Sequence, residues 1–192
     1  MFCRAEAYNR RAAAPEFKAN EVVRNLGIQN GSVIADIGSG GGFFTMKFAA
    51  ETGLDGRVYA VDVNEKNLAH VKRQAEEREL GNVETVLLNN SENLSGLPLK
   101  AFDLAFLRNV CHHIAKPESY FNNLKPFLKN DGKVAIIDYK KNNRFAFINL
   151  FDHYLEEEYI IDFMGACNYK HIVSYDFIET QSFNIFQVRE SL

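Results

Sequence analysis

This sequence predicts a doubly wound α/β fold of seven strands, on three observations. Apolar runs of strand length alternate with amphipathic helical stretches along the chain, a pattern that builds a parallel sheet with helices on both faces. The run that begins at residue 33 closes at Asp36 and passes through Gly38, Gly40 and Gly42 into a helix starting at Phe43. Asp36, Asp62, Asn90 and Asn109 all stand at the carboxyl ends of strands, where open α/β sheets bind their ligands.

Each element has a local reason. Residues 16–26 read as one amphipathic helix with Phe17, Val22, Val23 and Leu26 on its apolar side. The first strand and its turn are followed by a helix from Phe43, then by a strand over 57–62. Asn64 caps a helix over 64–79, whose Leu68, Val71 and Ala75 share one face opposite Lys72, Arg73, Glu76 and Glu77. Strands follow at 83–88 and 102–107. Pro117 opens a helix carrying Tyr120, Phe121, Leu124 and Leu128, with Gly132 ending its turn. A fifth strand spans 134–137, a helix 154–167, and the last two strands 169–174 and 183–188.

Composition narrows the class. A chain of 192 residues is one domain on length priors and buries roughly 70% of its extended surface. We expect residues 1–192 to form that domain, with 1–30 as an N-terminal helical cap. The 46% hydrophobic and 24% charged content is that of a globular protein. A net charge of −3 and a pI near 6.0 argue against nucleic acid as partner, because capture of phosphates needs a basic face. Cys3, Cys111 and Cys167 are too scattered for a disulfide framework. No run of eighteen apolar residues suits a membrane span. The N-terminus lacks a secretory pattern, so the expected compartment is the cytoplasm, with a monomer or homodimer as the working form.

The glycine turn carries the chemistry. Without a Cβ, Gly38 and Gly40 let the backbone approach a ligand, and the helix start beyond Gly42 offers N–H groups to an anion. The dinucleotide spacing G-x-G-x-x-G is not met: its third glycine falls on Phe43 or Thr45. Asp36 would also repel a pyrophosphate, whereas it suits a positive group such as an amino-acid ammonium. Asp62 lies about 20 residues beyond the turn, the interval at which a carboxylate meets ribose hydroxyls. Adenosine without a pyrophosphate is the ligand that satisfies both.

On these residues the chain resembles the class I S-adenosylmethionine-dependent methyltransferases, in particular the small-molecule, ubiquinone/menaquinone methyltransferase-like (type 11) group. The family's motif [D/E]-x-G-x-G-x-G is met by Asp36, Gly38, Gly40 and Gly42, and its acidic residue closing the second strand by Asp62. Asn90-Ser91-Glu92-Asn93-Leu94 resembles the family's Asp-Ala-Glu-x-Leu segment, with Asn90 in the acidic place. Residues 102–114 resemble the fourth strand and its His-His-Ile sequel, and 128–138 the turn into the fifth strand, with Asn130-Asp131 replacing Pro-Gly. The resemblance implies a Rossmann-like seven-stranded sheet, mostly parallel with an antiparallel last strand. It implies S-adenosyl-L-methionine as cofactor and S-adenosyl-L-homocysteine as product. The cofactor-binding residues it implies are Asp36, Gly38, Ser39, Gly40, Gly42, Asp62, Val63, Asn90, Ser91 and Asn109.

Methyl transfer from a sulfonium is an in-line displacement that asks mainly for positioning in a dry cleft. A hydroxyl or acidic carbon acceptor also needs a base, and His112 or His113 is the candidate, since imidazole titrates near neutrality. A metal at Cys111-His112-His113 is disfavoured, because His70, His153 and His171 have no ligand spacing to it. The segment 140–144 (Lys-Lys-Asn-Asn-Arg) reads as a solvated loop able to steer an anion. Tyr139, Phe145, Phe147, Phe151 and Tyr154 point to an apolar or planar small-molecule acceptor. Asn-Pro-Pro-Tyr, which resembles nucleobase or glutamine N-methylation enzymes, is absent after the fourth strand. Two other classes remain: a non-catalytic adenosyl-binding module or partner subunit, and a nucleotide-dependent oxidoreductase with a degenerate turn.

Overall fold

Central strands that are apolar on both faces can be satisfied only by a sheet covered on both sides, and that is what the chain builds. The structure is a computed structural model that describes residues 4–90, 93–140 and 154–189. The strands are β1 (Val33–Ile37), β2 (Arg57–Asp62), β3 (Val83–Leu87), β4 (Phe102–Arg108), β5 (Leu128–Tyr139), β6 (Tyr169–Tyr175) and β7 (Gln181–Val188). They form one sheet in the order β3-β2-β1-β4-β5-β7-β6. Neighbours from β3 to β5 pair in parallel, whereas β7 pairs antiparallel with both β5 and β6. Only the last strand runs against the rest, as expected. The strand order reverses between β1 and β4, so their carboxyl ends open a crevice at the topological switch point.

The described helices are α1 (Arg4–Ala12), α2 (Ala19–Asn25), α3 (Phe43–Thr52), α4 (Glu65–Glu77), α5 (Pro117–Leu124) and α6 (Glu157–Ala166). On one face of the sheet Phe121, Leu124, Phe163 and Met164 pack on Leu107, Ile136 and Phe186. On the other, Phe44 and Phe48 meet Phe106 at ring-centroid distances of 5.0 Å each. Asn64 caps α4 as expected, its side chain accepting from the Lys66 N–H at 3.0 Å.

Two expectations are corrected. The single helix over 16–26 is instead a 3-10 turn, Pro15–Phe17, and α2, joined at Lys18 with a left-handed φ of 45°. A separate helix, α1, precedes them. The helix from Pro117 ends at Leu124 and does not reach Leu128, because Pro126 lacks the N–H that a helix interior uses. Leu128 opens β5, which is far longer than 134–137, and Gly132 lies inside that strand beside a register shift opposite 102–104. Ser91, Glu92, Phe145, Phe147, Phe151 and residues 141–144 lie outside the described residues, as do Cys3 and His153.

Candidate active site

The crevice at the switch point is a cavity of about 790 Å³, within the range of small-molecule sites. Asp36, Gly38, Ser39, Gly40, Asp62, Val63, Asn109, His112 and His113 all line it, although they come from three separate stretches of chain. Gly42 and Asn90 are not among its lining residues. Gly42 sits behind the turn with φ 82°, where a Cβ would press on Val71 at 2.7 Å. The Asn90 side chain accepts from the Asn93 N–H at 2.8 Å, closing a local turn.

Three parts of the turn hold one another. The N–H groups of Gly38 and Ser39 both donate to the Val61 carbonyl, at 2.8 and 3.0 Å, which ties the turn to β2. Gly38 has φ 71°, and a Cβ there would collide with Val110. Asp62 straps the turn from the other side: its carboxylate accepts from Gly40 N–H at 2.9 Å, Asn67 Nδ2 at 3.2 Å and Asn64 N–H at 2.8 Å. An ionised carboxylate has about four acceptor positions, so one is left for a ligand. Asp62 is therefore as much an architect of the turn as a candidate ribose group.

Asp36 is buried at the end of β1. Burial pushes its carboxyl up to about 7; the Thr45 hydroxyl, donating at 2.5 Å, pulls the other way, and the Asp62 charge adds to the rise. A group so poised becomes a firm anion when a cation arrives beside it. Across the cavity Arg108 lies over the rings of Phe17 and Phe44, at 4.7 and 5.5 Å from their centroids. Its guanidinium donates a long hydrogen bond to Gln181, at 3.4 Å. Burial draws this guanidinium down to about 10, and the Arg11 charge works in the same direction.

Several residues around the turn and the histidines have no signature in the motif itself. Gly41, and not only its alternate neighbours, is packed tightest: a Cβ there would strike the Ala5 carbonyl and the Asn9 side chain. Asn9 on α1 donates to the Gly41 carbonyl at 2.8 Å and accepts from the Phe43 N–H at 3.1 Å. The first N–H of α3, expected to be open to a ligand, is thus capped by α1. Gln74 also donates to the Gly41 carbonyl, at 2.6 Å. Asp138 closes β5 as Asp36 and Asp62 close β1 and β2, a regularity that could have singled it out. It meets His112, whose ring packs 4.0 Å from that of His113 on the short 3-10 turn Cys111–His113. Burial pushes the neighbouring Cys111 thiol up, which removes the thiolate a nucleophile would need. Among the described residues no helix is long and apolar enough to cross a membrane.

Fold and site together define an open α/β protein with a ligand crevice at its switch point, and the comparisons identify the family. A methyltransferase domain model matches residues 28–182, and the chain belongs to that family of S-adenosylmethionine-dependent methyltransferases. It is 28% identical over 130 residues to the ubiquinone/menaquinone biosynthesis C-methyltransferase UbiE of Hydrogenovibrio crunogenus, covering 67% of this chain and 50% of that one. The chain thus spans about half the length of the curated relatives it matches. A SAM-dependent methyltransferase from Aquifex aeolicus superposes with a TM-score of 0.82 at 20% identity, covering 98% of this chain and 100% of the other. The 1,6-didemethyltoxoflavin-N1-methyltransferase of Burkholderia thailandensis, solved with its acceptor and S-adenosylhomocysteine, superposes with a TM-score of 0.73 at 16% identity, over 97% and 84% of the two chains. These two likenesses concern the fold.

The residues present fit the family's cofactor. The Ser39 hydroxyl is buried in the turn with no hydrogen-bond partner among the described residues, a donor that a ligand can use. Val63, 53% exposed, adds an apolar surface to the same cavity.

Proposed function

We propose that this chain transfers a methyl group from S-adenosylmethionine to a small-molecule acceptor by in-line displacement. The observation that carries the reading is the convergence of a poised acid, a glycine turn and a second strand-end acid on one cavity that also holds a histidine pair. When bound, the cofactor supplies an electrophilic methyl carbon on a sulfonium. Asp36 holds the amino-acid ammonium, Gly38, Ser39 and Gly40 line the chain that joins it to the sugar, and Asp62 takes a ribose hydroxyl. Val63 packs on the base. Asn90 and Ser91, implied by resemblance, would serve the base from the loop after β3, and Asn109 the cofactor's middle from β4.

The acceptor enters from the side of Arg108, Tyr139 and the histidines, and His112 or His113 takes its proton where the methylated atom carries one. Small acceptors are supported by the size of the cavity and by the named relatives, a ubiquinone/menaquinone biosynthesis C-methyltransferase and a 1,6-didemethyltoxoflavin-N1-methyltransferase. The single sheet shared by the described residues supports reading 1–192 as one domain, with 1–30 as its cap. Two buried free thiols, Cys111 and Cys167, accord with a cytoplasmic setting.

Calorimetric titration tests this. S-adenosylmethionine and S-adenosylhomocysteine bind and NAD does not; Asp36→Asn weakens that binding about 10- to 100-fold, the scale of one hydrogen bond to a charged group. Binding of NAD alone would assign the chain to the oxidoreductases. Uptake unchanged by replacing both Asp36 and Asp62 with alanine would remove the cofactor assignment. Cofactor binding without turnover on a broad acceptor panel would mark a binding module.

A further inference from the structure

Charge is divided unevenly around the cavity. Asp36 and Asp62 stand at its β1 and β2 end, whereas Arg108 of β4 and Arg11 of α1 line it together with Tyr139 of β5. The acid on this side, Asp138, is taken up by the His112 turn and by the Tyr139 N–H, which its Oδ1 accepts at 2.8 Å. Arg108 is thus a half-buried guanidinium set on the rings of Phe17 and Phe44, and it pairs with no carboxylate among the described residues. A guanidinium has five N–H donors in a rigid fork; the long bond to Gln181 engages one of them. Burying a charge costs free energy unless a counter-ion meets it. Beside this cation stands a second unfilled group. Tyr139 closes β5, meets Phe17 edge to face at 6.5 Å and carries the Arg11 guanidinium 5.3 Å from its ring centroid. The residue is 5% exposed, and its buried hydroxyl has no hydrogen-bond partner among the described residues.

Resting on the methyltransferase reading above, we propose that Arg108 and Tyr139 form an anion subsite for the methyl acceptor, so that the acceptor is a small molecule carrying a carboxylate or a phosphate. The guanidinium fork matches two oxygens of either group. The Tyr139 hydroxyl donates to one of those oxygens, and Arg11, exposed where it lines the cavity, draws the anion inward. Phe17 and Phe44 hold the guanidinium from behind, so the fork is set before the ligand arrives and less ordering has to be done on binding. The anion is the acceptor's and not the cofactor's own carboxylate, because the subsite lies toward α1 and β5: after burial, Tyr139, Arg11 and Asp138 weigh on the Arg108 charge ahead of Asp36. An acceptor tethered at its anionic end keeps its reacting atom in place behind the methyl, which is the positioning that an in-line displacement asks for.

Benzoate, phenyl phosphate and the neutral benzamide are the probes, their dissociation constants read from chemical-shift titrations of the full isotope-labelled chain, both free and saturated with S-adenosylhomocysteine. Benzoate or phenyl phosphate is expected to bind about tenfold or more tightly than benzamide, the worth of a hydrogen bond to a charged group, and the tighter of the two identifies the group the subsite takes. Arg108→Gln brings the three probes to within about twofold of one another, whereas Arg108→Lys, which keeps the charge without the fork, retains part of the preference. Tyr139→Phe keeps the ring and lowers anion affinity about three- to tenfold, with S-adenosylhomocysteine affinity unchanged. Equal binding of all three probes by the unmodified chain overturns the proposal without any variant. So does a preference that survives Arg108→Gln, which puts the anion elsewhere. A loss of S-adenosylhomocysteine affinity of about tenfold or more in Arg108→Gln also overturns it, since the fork then serves the cofactor's carboxylate. Failure of S-adenosylhomocysteine to bind, with the anion preference intact in the free chain, would sink the functional reading alone and leave the subsite standing.

Discussion

At the scale of single residues, the most consequential quantity is the acidity of Asp36. Its carboxyl titrates at 3.8 when exposed and at about 7 when folded, so between those values the native state keeps a proton that the unfolded chain releases. Stability from this group is therefore fully present below about 4 and is lost as pH rises toward 7, at up to about 1.4 kcal/mol per pH unit. Melting curves across that interval should show Asp36→Asn gaining stability relative to the parent as pH rises. Binding runs the other way. An ammonium beside Asp36 favours the anion, so affinity for S-adenosylhomocysteine should rise through about pH 7 with release of a proton, visible as a buffer-dependent calorimetric enthalpy. A pH-independent affinity would place the ammonium elsewhere.

At the scale of elements, α1 is the piece that finishes the site. Its Asn9 caps α3 and grips the Gly41 carbonyl, and its Tyr8 ring lies 3.4 Å from where a Cβ of Gly40 would be. Asn9→Ala should cost about 1 kcal/mol, the worth of a helix cap, and should also weaken S-adenosylhomocysteine binding as the turn loosens. Gly41→Ala is the sharper change. The new methyl meets backbone at Ala5 and cannot be accommodated by a side-chain rotation, so α1 must lift; an overpacking cost of about 1–3 kcal/mol is expected. Faster amide exchange over residues 4–12, with the sheet unaffected, is the readout. Unchanged exchange there would mean α1 is held by contacts other than the turn.

At the scale of the whole molecule, the switch point joins site and core. Phe106, completely buried on β4, meets Phe44 of α3 at a tilt and Phe48 edge to face, while Arg108 two residues on lies over Phe44. Phe106→Ala should cost about 3–5 kcal/mol in chemical denaturation, the range for removing a buried aromatic ring. Because the same rings seat α3 against β1 and β4, its S-adenosylhomocysteine affinity should fall even where the fold survives. Full affinity in a folded Phe106→Ala protein would show the turn to be rigid on its own.

Much of the fold was legible along the chain. Seven strands, the capped α4 and the reversed last strand follow from local periodicity, Asn64 and the motif resemblance. So do Asp36, Asp62 and the glycines, because a tight turn between strand and helix needs a spacing that sequence displays. What stayed hidden depends on contacts between distant segments. Pro126 outweighed an apolar spacing that ran on to Leu128. Nothing near Asn9 announces that it will lie on Gly41, and nothing in Cys111-His112-His113 distinguishes one imidazole from the other. The order of the strands and the acids at their ends could be read along the chain, since both are set by neighbours a few residues apart. Which helix closes the turn, and that His112 meets Asp138, are settled by packing, since those contacts arise where β4 and β5 lie side by side and where α1 folds back over the start of α3.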